Sequence, residues 1–195
     1  MIVRPDNKHL KISEVIDILN KNGIYLFNIL SHEKCDELRN NINDASSKKA
    51  RELLIHNTKV KCFDLHPDVY EKYISSELLD YIESRLTTLS SFFTTKYGIC
   101  NENIIFPQLR KIHGATDIHW DGTGRESQHR RILAVVIALN DDYEGGEFVF
   151  PLQDYKVKLE KGQALVFPPY WTHPHRTEDL KNGTFRYTVN TWFYE

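Results

Sequence analysis

Residues 130–193 read RRILAVVIALNDDYEGGEFVFPLQDYKVKLEKGQALVFPPYWTHPHRTEDLKNGTFRYTVNTWF, and this stretch decides the fold class. RRILAVVIAL, EFVFP, YKVKL, ALVFP and FRYTVNTWF are short runs rich in β-branched and aromatic residues, separated by Asn-Asp, Gly-Gly and Lys-Asn-Gly turns. Many short strands at this spacing predict a sandwich or jelly roll. Gly162 and Gly183 stand where turns should precede the last two strands. Upstream, IIFPQLRKI (104–112) adds one more strand candidate.

The texture before residue 103 differs. GIYLFNIL (23–30) is a short strand-like run, but the rest is mixed and mostly helical. Ser31 is placed to cap a helix running through Asn43. A second helix is expected from Ser75 to about Phe93, because Leu78, Leu79, Ile82, Leu86, Leu89 and Phe93 recur at three- and four-residue steps. Residues 48–73 are charged and irregular and read as a helix plus a surface loop. Helices first and strands afterwards give an α+β class: a double-stranded β-helix (jelly-roll) core with N-terminal helices packed against one sheet. A chain of 195 residues suits one domain. Residues 1–102 would be mainly helical support and 103–195 the core.

Composition narrows the function. The net charge of -2 comes from interspersed Lys, Arg, Asp and Glu with no basic block, which argues against a nucleic-acid surface. No apolar run has signal-peptide or bilayer character, so no membrane partner is expected and the protein reads as soluble. Cys35, Cys62 and Cys100 are odd in number and widely spaced. That points to reduced thiols and a cytoplasmic setting. NDDYEGGE (140–147) looks like a calcium loop, but Pro151 falls where a bidentate Glu belongs, so it reads as a tight hairpin turn. Neither G-x-S-x-G nor a Walker loop is present, which leaves hydrolase and NTPase readings without support.

The chemistry gathers in the strand-rich half. In HWDG (119–122), His119 and Asp121 lie two residues apart, so on a strand they share a face while Trp120 points away. The pair alone is weak, since about 0.6 such pairs arise by chance from this composition. His66-Pro67-Asp68 is a second copy, set aside because Pro67 interrupts a strand. Two imidazoles and a carboxylate can hold a divalent iron on one face and leave positions open. His173 and His175 in THPHR are the candidates for the second imidazole. Arg186 lies in an otherwise apolar run, FRYTVNTWF, and an inward guanidinium there could anchor a carboxylate, with Thr188 on the same face.

With its double glycine, ALNDDYEGGEF and the FRYT ending, residues 104–193 resemble the 2-oxoglutarate and Fe(II)-dependent dioxygenases, in particular the prolyl and lysyl hydroxylase branch. The resemblance implies Fe(II) on His119, Asp121 and His175, with His173 beside the site or at the surface. It implies 2-oxoglutarate on Arg186 and Thr188, with ascorbate as an optional addition. Dioxygen would be a co-substrate, and a peptidyl proline or lysine the hydroxylated group. A free amino acid or other small molecule is the alternative substrate; a non-catalytic metal-binding sensor and a nucleic-acid demethylase stand further off. The family's tyrosine about nine residues before the H-x-D pair is missing, and Leu109, Lys111 and His113 are the candidates for its neighbourhood. The loop GTGRESQHR reads as a lid carrying Arg125.

Overall fold

Strand β13 (Arg186–Tyr194) is the middle of the molecule, hydrogen-bonded to β8 (Arg131–Ala138) on one side and β6 (Gln108–His113) on the other. A computed structural model describes residues 17–47, 51–55, 58–65, 70, 72–99, 103–104, 107–122 and 130–194. Around β13, a nine-stranded sheet also takes in β1 (Asp17–Lys21), β2 (Ile24–Asn28), β3 (Arg51–Ile55), β4 (Thr58–Leu65), β5 (Asn103–Ile104) and β11 (Gln163–Phe167). Its order is β1-β2-β11-β8-β13-β6-β4-β3, with β5 paired to β13. A second sheet runs β10-β9-β12-β7, from β7 (Thr116–His119), β9 (Phe148–Phe150), β10 (Tyr155–Val157) and β12 (His175–Thr177). All these pairings are antiparallel. The result is a jelly roll.

Helices cover the outer face of the large sheet. Helix α1 (His32–Ser46) starts where Ser31 accepts a hydrogen bond from the Lys34 amide, and α2 (Ser76–Tyr97) starts where Ser75 accepts one from Leu78. Each cap satisfies an amide the first turn leaves unpaired. Helix α2 runs a turn past Phe93 and ends on Gly98 at φ 65°, the left-handed conformation that glycine adopts without strain. Leu38 and Ile42 of α1 and Leu78, Ile82, Leu86, Leu89 and Phe93 of α2 are buried with Leu133, Val135, Ile137 and Val189 of the sheet in one apolar cluster. Cys35 is part of it, and burial pushes its thiol up to about 12. It is therefore a packing residue. Neither Cys35 nor Cys62 forms a disulfide among the described residues.

Strict alternation divides each strand between two environments. On β13, Tyr187, Val189 and Phe193 face the helices, whereas Arg186, Thr188, Asn190 and Trp192 face inward. The same parity holds on β8, with Leu133, Val135 and Ile137 outward and Ala134, Val136 and Ala138 inward. Between the sheets, Ile24, Leu26, Phe148, Phe150, Leu165 and Phe167 form a second cluster that closes one end of the roll.

Two expectations are corrected. Residues 51–55 and 58–65 are the paired strands β3 and β4 rather than a helix and loop, with β4 paired to β6 through Cys62 opposite Ile112. The sequence of β4 hides this because its apolar positions change faces midway: Val60 and Cys62 pack inward around an exposed Lys61, then Phe63 and Leu65 pack outward, which breaks the one-face alternation of a half-buried strand. NDDYEGGE is a crossover between sheets rather than a hairpin, since β8 and β9 belong to different ones. Among the described residues no helix is long and apolar enough to cross a membrane. The His66–Asp68 pair and the expected lid around Arg125 lie outside the described residues.

Candidate metal centre and cavity

The end of β7 and the start of β12 meet in register, with His175 directly opposite His119. Opposed residues on an antiparallel pair bring their side chains together. Here the two imidazole rings lie 4.4 Å apart between centroids. Asp121 follows just past the end of β7, and its Oδ1 is 3.6 Å from His119 Nε2. One donor atom from each of His119, Asp121 and His175 falls within 4.8 Å of the others, close enough to converge on one ion. Trp120 is exposed, so the two-residue parity survives even though Asp121 is not itself in the strand.

Both rings are held in the tautomer a metal needs. His119 Nδ1 is 2.7 Å from the Asp117 carbonyl, and His175 Nδ1 is 3.2 Å from the His173 carbonyl. A carbonyl only accepts, so Nδ1 donates in each case and Nε2 keeps its lone pair for a cation. Asp121 is oriented as firmly: Trp192 Nε1 donates to its Oδ2 at 3.2 Å. Arg131 Nη1 donates to the Asp121 backbone carbonyl at 2.9 Å while its guanidinium stacks on the Trp192 ring, 3.9 Å from the centroid.

Behind these three groups is a cavity of about 210 Å³ lined by His119, Asp121 and His175 together with Arg110, Arg186, Thr188, Asn190 and Trp192. Arg186 is 3% exposed. Burial pushes its guanidinium below the ordinary arginine value, because charge in a dry site costs free energy. Its Nη1 donates to the Gly146 carbonyl at 2.6 Å and its Cζ stands 4.8 Å from the Phe148 ring centroid. Nε has no hydrogen-bond partner, and no Asp or Glu pairs with the guanidinium among the described residues. A buried cation left this way is a site for an anion. The fit with a dicarboxylic co-substrate is direct: metal donors at one side of the cavity and an uncompensated guanidinium at another. Thr188 is fully buried and its hydroxyl donates to Asn190 Oδ1.

The double glycine makes this possible. Gly145 and Gly146 have φ of 72° and 71°, and a Cβ on Gly145 would stand 2.1 Å from the Asp179 carbonyl oxygen. No other residue lets the chain run this close to Asp179 and Leu180 while aiming the Gly146 carbonyl at Arg186. Asn140 ties the same loop to β13: its amide donates to the Phe185 carbonyl and its Oδ1 accepts from the Tyr187 amide.

His175, not His173, faces the other donors. His173 turns away, with Nε2 2.9 Å from the Asn22 carbonyl and Nδ1 3.0 Å from the Thr172 hydroxyl. It anchors the β1–β2 turn and lends its own carbonyl to His175. None of Leu109, Lys111 and His113 reaches the cavity. Leu109 packs in the helical cluster, Lys111 Nζ donates to Asn43 of α1, and His113 Nδ1 donates to the Thr184 carbonyl. On β6 it is Arg110 and Ile112 that face inward. Arg110 was missed, as were Asp64, Arg131, Asn190 and Trp192. The parity of β13 carried from Arg186 to Asn190 and Trp192 was the available signal.

Residues 107–194 match the family model of the 2OG-Fe(II) oxygenase superfamily. No curated protein matches the sequence. Among solved structures, a viral collagen prolyl hydroxylase from Paramecium bursaria Chlorella virus-1 in complex with 2OG is similar at 21% identity and a TM-score of 0.64, over 89% of this chain and 96% of that one. A prolyl hydroxylase from Trichoplax adhaerens, in complex with a hypoxia inducible factor peptide fragment, is similar at 19% identity and a TM-score of 0.70, over 94% and 88%. A Pseudomonas putida prolyl-4-hydroxylase gives 16% identity and a TM-score of 0.68, over 89% and 92%. At these identities the likeness is one of fold.

Proposed function

We propose, from the match of residues 107–194 to the 2OG-Fe(II) oxygenase superfamily, an enzyme class that uses Fe(II) and 2-oxoglutarate, that this chain hydroxylates a peptidyl proline or lysine. His119, Asp121 and His175 hold the metal in this reading, and Arg186, with Thr188 beside it, holds the distal carboxylate of 2-oxoglutarate. The observation that carries it is the pairing, in one cavity, of three converging metal donors with a buried guanidinium that has no carboxylate partner among the described residues. Residues 1–195 act as one dioxygenase domain, in which the region before residue 103 supplies the two helices and also strands β1 to β4 of the large sheet.

Fe(II) held there with 2-oxoglutarate would supply the oxidising power, placing one oxygen atom of O2 in the substrate C–H bond and the other in succinate with release of CO2. The chain's own contribution is orientation. Nδ1 hydrogen bonds fix both imidazoles, Trp192 fixes the carboxylate, and the apolar residues between the sheets keep water from the back of the cavity.

A peptide substrate is supported by the rim. Trp120 is exposed between the two ligands on its segment, and exposed Tyr170 and Trp171 follow Pro169, whose carbonyl lies against Gly122. Aromatic surfaces of this kind recognise extended, proline-containing chains. The neighbours named as prolyl hydroxylases, one with a bound peptide, favour proline over lysine. Reduced Cys35 and Cys62 suit a cytoplasmic setting.

The test is succinate release from 2-oxoglutarate with Fe(II) and O2, with proline peptides, lysine peptides or free amino acids added. Stimulation by proline peptides, with one oxygen atom gained by the peptide, is expected. Stimulation only by free amino acids would move the reading to a small-molecule hydroxylase, and neither turnover nor metal binding would defeat it.

A further inference from the structure

A second arginine stands in the same cavity. Arg110 on β6 lies directly opposite Thr188 on β13, and on its other side directly opposite Asp64 on β4. Arg186 lies opposite Ile112, two residues along, so the two arginines are diagonal neighbours on one face. Diagonal pairs are within reach of long side chains. Both line the cavity with Thr188 between them in register.

Arg110 is only partly committed. Its Nε donates to Asp64 Oδ1 at 2.6 Å and its Nη2 donates to Gln108 Oε1. Its Nη1 has no hydrogen-bond partner among the described residues. The Asp64 ion pair removes most of the cost of keeping a guanidinium in a site where its side chain is 16% exposed. It also holds the planar group by its Nε edge, so the far edge stays available for a ligand.

We propose that Arg110 is a second binding residue for the distal carboxylate of 2-oxoglutarate, sharing that group with Arg186 across Thr188. This rests on the functional reading above. A carboxylate has more acceptor sites than one guanidinium can fill. Arg186 already spends Nη1 on Gly146, and Arg110 supplies the N–H that Arg186 lacks. Asp64 and Gln108 act as its positioning residues.

The test is calorimetric titration of the Mn(II)-loaded protein, which does not turn over, with 2-oxoglutarate and with 2-oxobutyrate, an analogue without the distal carboxylate. Arg110→Gln is expected to weaken 2-oxoglutarate about tenfold, the worth of one charge-assisted hydrogen bond, and to leave 2-oxobutyrate unchanged. Arg110→Lys keeps the charge beside Asp64 and carries the test if Arg110→Gln does not fold; it should still lose about threefold for 2-oxoglutarate alone, since an ammonium cannot reproduce the planar fork. Unchanged 2-oxoglutarate affinity in the folded variant, or equal losses for both ligands, overturns the assignment of Arg110 and leaves that of Arg186 standing. A wild-type protein that binds no 2-oxoglutarate overturns both.

Discussion

The two faces of the nine-stranded sheet are built from the same strands and do opposite work. Toward the helices, β13 offers Tyr187, Val189 and Phe193 to a cluster of fully buried leucines, isoleucines and phenylalanines. Toward the cavity, the alternate positions offer Arg186, Thr188, Asn190 and Trp192, and neighbouring β6 and β4 offer Arg110 and Asp64. One face gains stability by removing apolar area from water. The other gives some of it up, burying an arginine without a counter-charge among the described residues so that a ligand can supply one. Stability and function are separated here by one residue of register.

That separation can be broken from either side. The largest effect expected is on the outer face: Leu38→Ala should cost about 2–5 kcal/mol of folding stability by opening a cavity in a closed cluster, read from denaturant unfolding. The surviving folded protein should keep its 2-oxoglutarate affinity. On the inner face the pattern should invert. Arg186→Ala should weaken 2-oxoglutarate about a hundredfold, the scale of a lost bidentate charged contact, while the ligand-free protein melts no lower, because an uncompensated buried cation has been removed. Lower melting with intact 2-oxoglutarate binding would make Arg186 a structural residue. The smallest effect is Trp192→Phe, which keeps the ring under Arg131 but deletes the N–H to Asp121; metal affinity by equilibrium dialysis should fall about tenfold.

This two-faced design governs what could be read from the chain. The outer face was legible because it repeats. Leu78, Ile82, Leu86, Leu89 and Phe93 announce a helix by period, and Ser75 and Ser31 announce its start and that of α1 by cap chemistry. The strands after residue 103 were legible from β-rich runs and turns. The pairing of β3 and β4 was not, because the apolar residues of β4 change faces after Cys62 and so show no single-face alternation.

For the inner face, His119, Asp121, His175, Arg186 and Thr188 were singled out by motif and parity, and all five line one cavity. The resemblance implied His175 rather than His173; in the fold His175 faces His119, and His173 bonds away to Asn22. Arg110 was passed over in favour of Leu109, Lys111 and His113, which have the opposite parity on β6. Sequence shows that a strand alternates but not which set faces in. Only pairing with β13 supplies that phase. The parity of β13 could have placed Trp192 in the cavity, but not its bond to Asp121, which spans 71 residues.

The central claim is that His119, Asp121 and His175 hold one Fe(II). Anaerobic reconstitution followed by gel filtration and metal analysis tests it most directly, comparing the wild-type protein with Asp121→Ala at matched folding by circular dichroism. One iron per wild-type chain and none retained by Asp121→Ala is the expected result; equal iron in the two proteins would contradict it.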